Sequence, residues 1–248
     1  MYIFYRLLLA HFIADYPLQW SGFLRWKVKS VWGKAAHSAI HVFISLLLLL
    51  PYAKIPAFWL FLVFMFLTHF FQDWLKILIF YGKKRDDVFT FLIDQVLHFA
   101  VLTSVLFFPF SREVRYVAWF GPWYTNTYYV LMLLGLVAAT YAGSVLLYYL
   151  RNTFVDARSG FYQDWSGMAE RAAIFLLYFT GGVGFWLIPL AIALRVPFYF
   201  ASFLQVRHGF DIILRGGRPI ELSRKVELKG DIAIDLIASP AWAIICAV

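Results

Sequence analysis

Apolar runs of about twenty residues, long enough as helices to cross a hydrocarbon layer roughly 30 Å thick, recur along this chain. They lie near 2–20, 32–52, 57–80, 88–109 and 128–150, with a longer run from 168 to 205 and a weaker one at 232–248. Backbone in lipid must satisfy its own hydrogen bonds, so segments of this kind are helical. The expected architecture is all-α, a polytopic integral membrane helix bundle of six to seven transmembrane segments. The composition agrees, with 62% hydrophobic, 21% aromatic and only 15% charged residues. Arg6, His11 and Asp15 interrupt the first run and no small-residue cleavage site follows it, so it reads as a mature helix rather than a signal peptide. The single cysteine, Cys246, reads as a small buried hydrophobe.

The formal charge of +8 suggests nucleic acid until its distribution is considered. The loop after the first run carries Arg25, Lys27, Lys29 and Lys34, and the loop after the third carries Lys83, Lys84 and Arg85. The second loop carries only Lys54, and the fourth spreads Arg112 and Arg115 over a longer stretch. Alternation of this kind is what the positive-inside rule produces. It predicts a multi-pass protein of the cytoplasmic (inner) membrane, with the first and third loops cytoplasmic and the N-terminus outside. The 168–205 run is too long for one crossing. Its Gly181–Gly184 stretch predicts a hairpin or re-entrant pair, returning a basic segment near 206–230 to the cytoplasm. Arg207, Arg215, Arg218, Arg224, Lys225 and Lys229 would rest there on anionic headgroups. The expected partners are membrane lipids, not nucleic acid.

Four of the runs carry ionisable pairs at a spacing of four: His11 and Asp15, His37 and His41, His69 and Asp73, Asp94 and His98. Positions i and i+4 share one helix face. With helices alternating in direction, every pair falls at one depth, roughly 5 to 15 Å below the cytoplasmic ends. The order within the pairs places four histidines, His11, His41, His69 and His98, in a deep layer. Asp15, His37, Asp73 and Asp94 form a shallow one. His11 to His69 and Asp15 to Asp73 are each 58 residues apart, and His37 to Asp94 and His41 to His98 are each 57. The spacing predicts an internally duplicated four-helix core over 1–110 with its polar stripes facing the axis, followed by C-terminal membrane helices over 111–248.

Ionisable groups in hydrocarbon are costly unless they face a cavity or a partner. Facing helices that bear carboxylate and histidine pairs build dinuclear metal sites, and imidazole with carboxylate suits zinc, iron or manganese. Two divalent ions, three aspartates and one bridging hydroxide would sum to neutrality, the least penalised state in a low dielectric. The eight residues are therefore candidate ligands for two ions. Asp15, Asp73 and Asp94 are candidate bases. Lys76, one turn shallower than Asp73, either meets a phosphate or carboxylate arriving from the cytoplasm or snorkels to the interface. Gln19 and Gln95 are candidate donors that orient a ligand or substrate, or make plain interhelical hydrogen bonds.

At these residues the sequence resembles an uncharacterised family of bacterial membrane proteins, the domain-of-unknown-function family numbered 3307. The likeness is carried by "LLLAHFIADYPLQ" (7–19), "HSAIH" (37–41), "HFFQDWLK" (69–76) and "DQVLH" (94–98). It covers about the first 110 residues, with weaker similarity at "MAERAAIFLL" (168–177) and "VELKGDIAIDLIAS" (226–239). The resemblance implies a small polytopic protein whose N-terminal His/Asp core is its signature, and it brings no activity with it.

Elsewhere, Gly135, Ala139 and Gly143 mark a helix packing face, and Trp119, Trp123, Tyr124, Tyr128 and Tyr129 an outer aromatic belt. Glu170 and Arg171 read chiefly as anchors of the sixth run, and His208 with Asp211 as remote from any site. No Walker loop, dinucleotide fingerprint, nucleophile elbow or Cys-x-x-Cys pair is present. The leading expectation is a membrane-embedded, metal-dependent hydrolase acting at the cytoplasmic leaflet on a lipid or phosphoester, with a two-iron oxygenase as a variant. The alternatives are a metal-ion or proton transporter using the same cluster, and a non-catalytic structural membrane protein.

Overall fold

The computed structural model describes residues 1–80, 87–115, 121–154, 164–195, 197 and 234–248. Lys83, Lys84, Arg85, Trp119, His208, Asp211 and the 206–230 basic segment lie outside the described residues. Among those described there is no strand. The chain divides into two compact units, Met1–Val137 and Ala138–Val248.

The first unit holds α1 (Tyr2–Asp15), α2 (Ser21–Lys29), α3 (Val31–Leu48), α4 (Pro56–Phe80), α5 (Val88–Thr103), α6 (Gly121–Thr125) and α7 (Thr127–Val137). Contacts of α1 with α3, α3 with α4, α4 with α5, and α5 with α1 close a four-helix ring. This unit extends past the expected 1–110 core because α7 packs along α1. Its apolar core collects Ile3 and Leu7 with Leu49, Tyr52, Phe58, Phe61, Leu62, Met65, Leu102 and Val105, at the end of the ring away from the polar pairs.

The first helix is shorter than the 2–20 run. Pro17 has no N–H to continue the ladder, and the Ile13 carbonyl oxygen accepts from the Leu18 N–H instead, so α1 stops at Asp15. The chain then forms α2, nine residues in what had been read as a basic loop. Ser30 caps α3 by accepting from the Trp32 N–H, and Asp87 with Thr90 forms a reciprocal capping box that starts α5. Gly33 lets α2 and α3 approach: a Cβ there would lie 2.5 Å from the Trp26 carbonyl oxygen and 2.7 Å from the Lys27 nitrogen.

The second unit holds α8 (Gly143–Phe154), α9 (Trp165–Thr180), α10 (Gly182–Ala193) and α11 (Ser239–Ala247), with π-helical turns at Ala138–Ala142, leading into α8, and at Ile234–Ala238, leading into α11. The reversal expected at the glycines is present: Gly181 and Gly182 take φ of 60° and 42°, and α10 folds back along α9. Gly143 belongs to a packing face, since a Cβ on it would meet the Trp242 ring at 2.7 Å.

Among the described residues four helices are long and apolar enough to cross a membrane: Val31–Leu48, Pro56–Phe80, Val88–Phe107 and Thr127–Phe154. The others fall short of that length, with 14 residues in α1, 16 in α9 and 12 in α10. The two halves of the ring also differ in form, α1 having 14 residues against 25 in α4.

Candidate metal centre

The ring of four helices gathers the eight paired residues on its axis. His11 comes from α1, His41 from α3, His69 from α4 and His98 from α5. Their rings meet with centroids 5.0 Å apart for His11 and His41, 3.8 Å for His41 and His69, 4.4 Å for His69 and His98, and 5.3 Å for His98 and His11. All four are buried, as is His37. The side chains face inward because each i, i+4 pair repeats the helical period toward one neighbour pair, while the outward faces carry leucine, phenylalanine and tryptophan.

Asp15 stands beside three histidines. Its Oδ1 is 2.9 Å from His37 Nε2 and 3.1 Å from His41 Nε2, and its Oδ2 is 3.2 Å from His11 Nε2. The two Nε2 atoms on Oδ1 are themselves 3.3 Å apart. Asp73 Oδ2 lies 3.4 Å from His69 Nε2 and 3.7 Å from His37 Nε2. His98 Nδ1 is 2.7 Å from the Asp94 carbonyl oxygen. That oxygen only accepts, so the proton sits on Nδ1 and the Nε2 lone pair is left for the interior.

Two sets of ligand atoms each converge within 4.8 Å: Asp15, His37, His41 and His69, and then His69, Asp73 and His98. The fit to a cation is visible in what the protein leaves unsatisfied. His69 Nε2, His98 Nε2 and Asp73 Oδ2, all members of these sets, are buried without a hydrogen bond among the described residues, a costly condition that a coordinated ion removes. Three imidazoles and a carboxylate form a donor set suited to zinc, iron or manganese.

His11 and Asp94 take part in neither set. Asp94 Oδ2 receives the Lys76 ammonium at 2.9 Å and the Gln95 amide at 3.5 Å, and Gln95 Oε1 accepts from the Tyr16 hydroxyl at 3.1 Å. Lys76 thus reaches across to a carboxylate on the neighbouring helix. Gln19 accepts at 3.0 Å from Lys27.

Lys27 itself is the participant that sequence reasoning missed. It had been counted among cytoplasmic loop charges, yet it is 7% exposed and its Nζ lies 2.9 Å from Asp73 Oδ1. The signal available was its spacing of four from Phe23: these two are the buried residues of α2, while Arg25, Trp26 and Lys29 face outward.

Three buried arginines, Arg6, Arg171 and Arg195, lie away from the histidines. Arg6 donates to the Tyr2 and Tyr124 carbonyl oxygens and sits over the Tyr2 ring, 3.3 Å from its centroid. Tyr124 accordingly turns inward to Arg6 rather than joining an outer belt, whereas Tyr128 and Tyr129 are exposed. In the second unit Arg171, read as an interfacial anchor, is fully buried. It donates to the Ala139 and Thr140 carbonyl oxygens and to the Ser144 and Ser239 hydroxyls. Glu170, also buried, is paired with Arg195, which in turn pairs with Asp164.

No curated protein and no solved structure matches this chain. One family model does, over residues 3–126, a span that contains all eight paired residues together with Lys27 and Lys76. That is half of the chain, which therefore belongs to the family described as protein of unknown function (DUF3307).

Proposed function

We propose that the chain is a multi-pass protein of the cytoplasmic membrane, N-terminus outside, whose His/Asp centre is that of a metal-dependent hydrolase. Its substrate would be a lipid or phosphoester reached from the cytoplasmic leaflet. The observation that carries the reading is the convergence of Asp15, His37, His41 and His69 from three helices, their ligand atoms within 4.8 Å of one another, beside buried imidazole nitrogens without a hydrogen bond among the described residues. Zinc, iron or manganese bound there would lower the pKa of a coordinated water and polarise a substrate oxygen. His69, Asp73 and His98 form a second set of ligand atoms, which shares His69 with the first.

The remaining residues divide the work. Asp94 belongs to neither ligand set and is held by Lys76 and Gln95, so it is the carboxylate assigned to accept a proton. Tyr16 fixes Gln95, and Gln19 fixes Lys27. On the deep side the histidines are followed by Leu7, Leu62 and Met65 of the apolar core. That closed end favours a pocket over a transit path. The orientation is supported by Arg25 and Lys29, exposed at the site end of the ring, against Lys54 alone in the loop between α3 and α4.

The test is elemental analysis of the detergent-purified chain beside a folded His37→Ala/His41→Ala variant, with hydrolysis of glycerophospholipid vesicles measured in parallel. Bound metal that the variant loses is expected, together with turnover that falls at least about a hundredfold in metal-retaining Asp94→Asn. A chain that holds no metal under metal-replete conditions overturns the metal centre. Metal without ester cleavage overturns the hydrolase and leaves a transit site.

A further inference from the structure

Counting the charges that the folded chain brings to the centre changes the number of ions it can take. Three aspartates contribute −3. Two divalent ions and a hydroxide would balance them, but two ammonium groups are already in place. Lys27 Nζ is 2.9 Å from Asp73 Oδ1, and Lys76 Nζ is 2.9 Å from Asp94 Oδ2. Lys27 arrives there on a helix of its own, seated by the close approach at Gly33 and held by Gln19 at 3.0 Å.

We propose that the centre holds one divalent ion, at Asp15, His37, His41 and His69, and that the Lys27 and Lys76 ammonium groups stand where a second ion would be. This rests on the metal reading above and goes beyond it by fixing the stoichiometry and the ligand.

Three observations converge on it. The two ligand sets share His69, so filling one depletes the other. Asp73 has one oxygen on Lys27 and the other toward His69 and His37. A second ion on that carboxylate would face an ammonium across a single carboxyl group, and repulsion between such close charges is severe where the surroundings are apolar. Asp94, the remaining carboxylate, is taken by Lys76. With one divalent ion and both lysines against three carboxylates, the centre carries one net positive charge. A centre of that charge is matched to a singly charged anion, the charge of a phosphodiester.

Metal stoichiometry decides the matter. The full-length chain, purified in detergent and stripped of metal, is titrated with zinc alone and with manganese alone by calorimetry. Bound equivalents are then counted by elemental analysis. Wild type should bind one equivalent, Asp73→Asn should still bind one, and Lys27→Met/Lys76→Met should bind two, the second lost again when Asp73→Asn is added. Two equivalents in wild type, or one in the folded double-lysine variant, overturns the proposal while leaving the metal centre standing. No binding in any protein overturns the metal centre itself. If the lysine variant does not fold, the wild-type and Asp73→Asn counts still decide, because a two-ion centre would hold two and lose one.

Discussion

Gly33 carries no side chain, and the position of Lys27 depends on that. A methyl group there would press into the Trp26 carbonyl at 2.5 Å, backbone that cannot swing aside, so α2 would have to lift from α3. Overpacking of this kind costs about 1–3 kcal/mol, and Gly33→Ala should destabilise the chain by that order, seen as a lower thermal unfolding midpoint in detergent. The eight His and Asp positions were legible because they recur at the helical period within apolar runs, where an ionisable group is conspicuous. Lys27 was not. A lysine between helices reads as a solvated charge, and only the fold shows that its stretch is a helix with a buried side formed by Phe23 and Lys27.

At the scale of the element, the π-helical turn Ala138–Ala142 and the buried Arg171 explain each other. A π-turn shifts the carbonyl ladder by one residue, and the Ala139 and Thr140 carbonyl oxygens accept from the Arg171 guanidinium. Its remaining donors reach Ser144 on α8 and Ser239 on α11. One side chain thus ties together α8, α9 and α11. Arg171→Ala would leave several buried acceptors unmet and should destabilise the chain by about 3 kcal/mol or more. Arg171→Lys should recover little of this, since an ammonium cannot reproduce a planar fork directed at four acceptors. Thermal unfolding of both variants in detergent would show it. The sequence suggested a glycine-rich reversal between α9 and α10 because Gly181 and Gly182 permit positive φ. It offered no hint of the π-turn, which arises from a tertiary partner rather than from local propensity.

At the scale of the whole molecule, long apolar helices and buried ionic clusters occur in the same chain, and the ring α1, α3, α4 and α5 should respond to metal as a unit. Three of the four helices, α1, α3 and α4, supply the ligands of the proposed ion, and α5 packs on α1 and α4. An ion present at a hundredfold excess over its dissociation constant adds about 2.7 kcal/mol to the folded state. Amide hydrogen exchange in detergent should therefore slow together across these four helices on adding zinc or manganese. Protection confined to one helix would argue against a shared centre. The all-α class and the apolar spans followed from hydrophobic run length. The early stop of α1 did not, because an apolar run masks the effect of Pro17.

That early stop also has an electrical side. Because α1 ends at Asp15 instead of running on to residue 20, the negative pole of its aligned peptide dipoles falls at the level of the carboxylate. Such a pole is equivalent to roughly half an elementary charge. It comes from backbone, so it neither titrates nor disappears when a side chain is exchanged. A cation entering between Asp15 and His41 is drawn by a fixed field as well as by its ligands, and Asp15→Asn would weaken that attraction without abolishing it.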